Sequence, residues 1–472
     1  MQRGQRPPSK DDVARLPPHF AAPEKAGLGR PGSSGVSFQD HQILARVPLW
    51  CAVRESGRVH IVGAGLAGLS AAVKLAQGGC RISIYEATRH AGGRCRSFHD
   101  PVLERLIDNG NHLVLSGNQA VMAYLAAINA EDKLIGPQRA EFPFVDLTDD
   151  THWTVRPDKG AIPWSALSSS RRVPGSSIGE YLSVWRLSRA TASQTIGQCL
   201  ATEGALWHRF WHPVIVSILN TDPASASAEL LWAVMKETFG KGEVACRPLI
   251  AVNGLSETFV YPALRYLRAH TCEVQFNQRV RAVASNGGRV TALDTGDRID
   301  LDSDDAVVFA VPPTPARQLM PELVAPDSFR PIVNGHFRTQ EAIPMKTFVG
   351  VVGGVVEWLF LRGDVVSATV SAATALSEMA ESDIADAMWT DISRVLKLDA
   401  PCRGPYRIIK EKRATFEQTP AQVARRPKTE TALDNLFLAG DWTDTSLPAT
   451  IEGTIQSGFA AADIILNRKS NG

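Results

Sequence analysis

No stretch of the 472 residues runs for about 18 apolar positions without charge, so the sequence offers no membrane span. The longest candidate, 347–362, is interrupted by Gly353, Gly354 and Glu357 and reads as strands. An excess of one charge is missing as well: 50 Lys and Arg against 49 Asp and Glu leave a formal +1. No whole-chain field therefore argues for nucleic acid or an acidic partner. Paired cysteines are also lacking. The seven Cys come no closer than the 15 positions between Cys80 and Cys95, and no CxxC occurs. That excludes the common zinc and redox pairs, and an odd count leaves one Cys out of any disulfide set; a reducing cytoplasm is expected. Tyr is scarce at six, too few to furnish readily an aromatic cage around an amine.

What remains is an ordinary globular composition, 44% hydrophobic and 21% charged, long enough at about 150 residues per domain for two or three domains. Residues 1–57 stand apart, with seven Pro, six Gly and eight basic against five acidic residues, and without sustained periodicity. They read as a disordered leader. Asp11, Asp12 and Glu24, with no apolar core, argue against a transit or secretion signal, and a start placed upstream of the true one would leave the same stretch.

Regular pattern begins with the buried strand 58–62, an Ala-rich helix over 66–77 and a second strand over 81–86. Helical patterning dominates 118–270, notably 178–190, 224–240 and 254–270. An antiparallel meander is expected over 274–301, split at Asn286-Gly287-Gly288 and Thr295-Gly296-Asp297. Residues 306–311 form a continuous apolar strand closed by Pro312-Pro313, as in a buried parallel sheet. Strands near 347–352, 356–361 and 365–370, a helix over 373–397, a strand over 436–439 and a helix over 450–467 complete the chain.

The first βαβ unit holds the chemistry. Gly63-Ala64-Gly65-Leu66-Ala67-Gly68 is a GxGxxG that follows a strand and opens a helix. In such a turn the first glycine permits the bend, the second lets backbone approach a pyrophosphate, and the third allows close helix–strand packing. The pyrophosphate then sits on free N–H groups at the helix N-terminus. Glu86 ends the next strand, where a carboxylate accepts from a ribose hydroxyl and disfavours a 2′-phosphate. Gly92-Gly93-Arg94 adds backbone access and a guanidinium fork. Near the C-terminus, Gly440-Asp441 and then Pro448–Gly453 form a loop leading into a helix, which suits the edge of a flavin ring. Read alone, that second stretch is better taken as a turn with Thr450 an ordinary N-cap; with the first two it favours FAD over NAD.

Together these stretches resemble the superfamily of FAD-dependent amine oxidases and carotenoid desaturases, over almost everything from residue 58 onward. Longer segments are similar to its hydroxysqualene dehydroxylase group: 107–112 (Ile-Asp-Asn-Gly-Asn-His), Leu219-Asn220-Thr221, 246–249 with 254–256, 331–334, and 447–453. The resemblance implies an α/β fold, a Rossmann-like FAD-binding domain with an inserted mixed α+β substrate domain. The FAD domain would be discontinuous (58–140, 245–315 and 425–472) and the substrate domain would comprise 141–244 and 316–424. It implies that Gly63, Gly65, Leu66, Ala67 and Gly68 face the pyrophosphate, Glu86 the adenosine ribose and Val280 the adenine. Gly93 and Arg94 follow as phosphate or flavin-edge contacts, Asn111 and His112 reach the isoalloxazine, and Gly440, Asp441 and Ile451 meet the ribityl chain and pyrimidine edge.

The implied reaction replaces the allylic hydroxyl of a C30 isoprenoid alcohol, hydroxysqualene, with hydride. His112 is the candidate acid, being next to the expected flavin loop and of near-neutral pKa; a core or flavin-positioning histidine is the plainer alternative. A polyene desaturase with hydride flowing the other way, and a non-catalytic prenyl-binding escort, stand as the other readings. No second dinucleotide turn occurs, so the electron donor is expected to be external and is unidentified. A hydrophobic substrate leads us to expect peripheral membrane contact by a cytoplasmic protein.

Overall fold

The computed structural model describes residues 57–251, 253–340, 343, 348–398 and 403–471. The expected leader lies outside them, apart from Gly57.

Val59–Val62, Leu66–Gln77 and Ile82–Glu86 form the βαβ unit read from the sequence. Every strand residue of Val59–Val62 is buried, as a continuous apolar run requires when both faces of a sheet are covered. The strands belong to a five-stranded sheet in the order Glu273–Phe276, Ile82–Glu86, Val59–Val62, Ala306–Phe309, Leu436–Leu438. All four pairings are parallel, with Val59 level with Ile82 on one side and Ala306 on the other. All five strands lie within 58–140, 245–315 and 425–472. The meander is smaller than expected. Only Ala282–Asn286, Arg289–Asp294 and Arg298–Asp300 pair antiparallel, while Glu273–Phe276 becomes the edge of the parallel sheet, since Phe276 runs level with Glu86.

A second sheet has seven strands, ordered Tyr406–Phe416, Phe329–Arg338, Val365–Val370, Trp358–Arg362, Phe348–Val352, Phe142–Asp146, Thr151–Val155. Only the Phe348–Val352 and Phe142–Asp146 pair is parallel. Aromatic rings fill the space between this sheet and the helical segment: Phe144 stacks on Trp153 and meets Phe210 and Trp358 edge-on. The helical expectations break into shorter pieces. The stretch 178–190 is the helix Ile178–Ser183 followed by a tighter turn to Arg189, and 254–270 opens as a π-helical turn before Tyr261–Ala269. Likewise 373–397 divides into Thr374–Ser377 and Glu381–Leu396.

Asn220 explains why Leu219-Asn220-Thr221 reads as a unit. It ends His212–Leu219 in the left-handed conformation (φ 46°), and its amide donates to Arg330 O and Thr415 Oγ1 while its carbonyl accepts from Ala372 N. One buried side chain thus ties the helix to two strands of the second sheet. Gln418 continues this seam, donating to Leu219 O and accepting from Ala449 N in the C-terminal loop.

The C-terminal helix, Ile451–Asn471, lies directly on Leu66–Gln77, ten of whose 12 residues are buried. Small residues make this contact: Ser70 Oγ donates to Ile455 O, and a Cβ on Gly458 would stand 2.1 Å from Ser70 Oγ and 2.3 Å from Ala67 O. Among the described residues no helix is long and apolar enough to cross a membrane, and Cys80, Cys95, Cys199, Cys246 and Cys272 are free thiols. Gly458→Val is expected to destabilise the fold by roughly 1–3 kcal/mol through overpacking. Urea unfolding followed by tryptophan fluorescence measures this; an unchanged midpoint would contradict the close helix contact.

Candidate active site

The turn after Val59–Val62 is shaped by what surrounds each glycine. Gly63 N donates to Tyr85 O at 2.8 Å, and its φ of 107° lies where a side chain is strained. Gly65 differs: a Cβ there would meet nothing within 4 Å, so the fold itself does not demand glycine, and the bare backbone faces open cavity. Gly68 is the reverse, with a Cβ landing 2.0 Å from Gly63 O. Gly68 accordingly packs the helix onto the turn and is not in the cavity wall, whereas Gly63, Gly65, Leu66 and Ala67 are. Gly65 provides no side-chain cap, and the first turn of Leu66–Gln77 holds no acidic residue. The leading N–H groups are therefore available to an anion, with the helix dipole behind them.

Glu86 closes the turn from the neighbouring strand. Its Oε2 accepts from Ala64 N at 2.9 Å, and its Oε1 accepts from Thr88 N and Thr88 Oγ1 at 2.9 and 2.8 Å. A carboxylate has about four acceptor sites, so one is left for a ribose hydroxyl. Val280 stands beside it in the cavity wall, since Gln278 N donates to Glu86 O.

Gly92 N donates to Ala64 O, which draws Gly93 and Arg94 over the turn. The guanidinium of Arg94 is committed to protein: Nη2 donates to Asp441 Oδ1 at 2.8 Å and Nη1 to Ala414 O. This partner was not legible in the sequence, where Arg94 reads as a phosphate or flavin-edge contact. Asp441 is thereby neutralised and held facing the cavity, while Gly440 N donates to Ser457 Oγ and the Trp442 indole to Val311 O. Ile451 enters the wall as the first residue of the C-terminal helix.

Asn111 and His112 lie opposite the second sheet. Asn111 Nδ2 donates to Thr369 Oγ1 at 2.9 Å, and Thr369 Oγ1 donates to Asn334 Oδ1 at 2.9 Å. This relay fixes the Asn-His loop against two strands. His112 has an exposed side chain that lines the cavity. Desolvation in the cavity wall lowers its pKa from 6.5, assisted by the nearby Arg94 charge and partly opposed by Asp108, so the neutral imidazole dominates at pH 7.

Two further residues had no readable role in the sequence: Glu452 lies within the 447–453 stretch and Gln418 in no motif. Glu452 accepts from Ala120 N and Val121 N through its two oxygens, capping the helix Gln119–Ala127 from a distant segment. Burial raises its pKa, yet both oxygens remain engaged. Gln418 pins the loop before Ile451 as described above. Neither could be read without knowing which backbone N–H groups come near.

All of the expected residues except Gly68 share one cavity of about 1500 Å³. That exceeds the roughly 300–1,000 Å³ of a site for one small ligand. One part of its remaining wall is apolar, with Phe142, Phe210, Phe239, Val214, Ile218 and Phe360. The donor set fits FAD: bare backbone and an uncapped helix start for the pyrophosphate, Glu86 for the ribose, and Asp441 with Ile451 for the ribityl and ring edge. The apolar remainder has room for a second, hydrophobic molecule.

Comparison with known proteins places the chain in a flavin-dependent family. The family described as flavin containing amine oxidoreductase matches residues 66–466. Hydroxysqualene dehydroxylase of Rhodopseudomonas palustris is 45% identical over 413 residues, 87% of this chain and 99% of the relative. Hydroxysqualene dehydroxylase of Sinorhizobium fredii is 43% identical over 410 residues, 87% and 98% of the two chains. Among solved structures, cyclohexylamine oxidase from Brevibacterium oxydans superposes with a TM-score of 0.64, covering 88% of this chain and 100% of that one; at 14% identity this likeness is one of fold alone.

The contrast between the glycines yields a prediction. Gly65→Val is expected to fold normally but to bind FAD at least about tenfold more weakly, ~1.4 kcal/mol, whereas Gly68→Val is expected to yield little soluble protein. Flavin absorbance and yield of the purified variants check this, and a yellow, fully loaded Gly65→Val would contradict the assignment.

Proposed function

Because the chain belongs to the flavin containing amine oxidoreductase family, and within it to the hydroxysqualene dehydroxylases, we propose that it reduces hydroxysqualene to squalene and water with FAD. The single observation supporting this reading is that the dinucleotide turn and a wall of Phe, Val and Ile side chains belong to one cavity. Substrate plus two electrons and two protons gives squalene and water. Bound FAD, in its reduced form, supplies the hydride that takes the place of the departing hydroxyl.

The chain's own residues bind, orient and protonate. Gly65, Leu66 and Ala67 offer N–H groups to the pyrophosphate, and Glu86 orients the ribose. Arg94 holds Asp441 in place, and Asp441 would meet the ribityl chain of bound FAD. The apolar wall excludes water from the reacting carbon, where water would compete with hydride. His112 is the group we assign to protonate the departing hydroxyl at its ring nitrogen, with Asn111, Thr369 and Asn334 fixing the loop that carries it. The reductant of the flavin is an external donor, and contact with a membrane supplies the substrate.

Anaerobic incubation of dithionite-reduced protein with hydroxysqualene is expected to form squalene while the flavin reoxidises. Product formation only from oxidised protein and a polyene would replace this reading with a desaturase. Since the pKa of His112 is lowered from 6.5, its acid form becomes populated only on the acid side of that value, and turnover should rise as pH falls through that range. His112→Gln should flatten that limb and cost roughly 10²–10⁴ in rate, with flavin binding retained. A wild-type rate that does not change with pH across this range would remove His112 as the acid.

A further inference from the structure

Large apolar side chains are exposed together on the helical segment. Trp164 and Leu167 are 63% and 64% exposed, Leu182 59%, Trp185 45% and Val244 68%. They sit on adjoining pieces: the turn Trp164–Leu167 packs against Ile178–Ser183, which runs straight into Val184–Arg189. Asp158 joins Val244 to them, its carboxylate accepting from Ser165 N and Oγ and its carbonyl from Glu243 N. Isolated exposed apolar residues are ordinary, but two Trp and two Leu within one short segment make a patch that water does not favour.

The free charge beside the patch is mainly basic, half-buried Glu243 next to Val244 being an acidic exception. Lys159, Arg171, Arg186 and Arg189 are exposed and enter no ion pair among the described residues. Two acidic residues of the same segment are engaged by hydrogen bonds: Asp158 accepts from Ser165 N and Oγ, and Glu180 accepts from Ser177 N and Leu206 N. Trp and Leu beside free Lys and Arg match a bilayer interface with anionic headgroups.

The patch also adjoins the cavity. Val244 O accepts from Ser116 Oγ, and the next carbonyl, Ala245 O, accepts from Gly117 N, a residue of the cavity wall. The wall residues Glu237, Thr238 and Phe239 lead directly into the Glu243–Ala245 turn. From these observations we propose that the surface formed by Trp164, Leu167, Leu182, Trp185 and Val244, ringed by Lys159, Arg171, Arg186 and Arg189, docks on an anionic lipid bilayer and sets the cavity mouth at the acyl boundary. This rests on reading the cavity as the seat of a lipid-soluble substrate, which then passes from bilayer to cavity without crossing bulk water.

Flotation of the flavin-loaded full chain with vesicles of phosphatidylcholine, with and without phosphatidylglycerol, tests the docking. Wild type is expected to float with the anionic vesicles and less with the neutral ones. Trp164→Ser with Leu167→Ser is expected to cut the floated fraction at least about tenfold on both. Arg186→Gln with Arg189→Gln is expected to reduce anionic binding roughly fivefold per arginine. Both variants should keep flavin absorbance and turnover on detergent-dispersed substrate, which separates lost docking from lost folding. Wild type that does not float with anionic vesicles, or a Trp164/Leu167 variant that floats as well as wild type, would overturn the proposal. So would a dimer that those two substitutions convert to monomer in the absence of vesicle binding, since the patch would then join two copies. Vesicle binding without detergent turnover in wild type would uphold the docking surface and count against the substrate reading alone.

Discussion

The helix that opens at the glycine turn and the helix that ends the chain approach as closely as Ser70 and Gly458 allow, and the position of the site follows from that contact. With Ile455 O bonded to Ser70 Oγ, the loop before Ile451 has little choice but to arrive above the turn at Gly65. Strand Leu436–Leu438, beside Ala306–Phe309, delivers Gly440 and Asp441 to the same end of the sheet. Ligands of parallel α/β sheets bind at that carboxyl end, where the strands stop and the helices begin. Two segments more than 370 positions apart thereby face one cavity.

Arg94 closes the arrangement. It lies 347 positions from Asp441 and bonds to both the carboxylate and a strand of the second sheet through Ala414 O. The ion pair costs desolvation on both partners, so its value is better understood as orientation than as stability. It fixes Asp441 in a wall that the second sheet completes. The Asn111–Thr369–Asn334 relay has the same character, joining the Asn-His loop to one strand expected from sequence, Val365–Val370, and to one that was not, Phe329–Arg338. The division into domains at 140, 244, 315 and 424 is our proposal for how these parts fold.

Much of this was legible because it is local. A glycine spacing, a following Ala-rich run and an acid at the end of the next strand are fixed by one turn and one sheet register, and they were read correctly as a βαβ unit. Gly440-Asp441 was legible only by association with that unit. Register between distant strands was not: Glu273–Phe276 reads as part of a meander, and its parallel pairing with Ile82–Glu86 depends on contacts 190 positions away. Side-chain partners across such distances, as for Arg94, Glu452 and Gln418, leave no periodic trace. The shift of His112 was equally hidden, since desolvation in the cavity wall, not sequence neighbours, lowers its pKa.

The central claim is that the turn near Gly65 and the loop at Asp441 hold a single flavin between them. Its most direct measurement is the flavin content of purified chain, released by denaturation and quantified against protein, for wild type and for Asp441→Ala. One FAD per chain in wild type, falling substantially when the Asp441 carboxylate is removed, is the expected result. Colourless wild type, or full occupancy in Asp441→Ala, would contradict it.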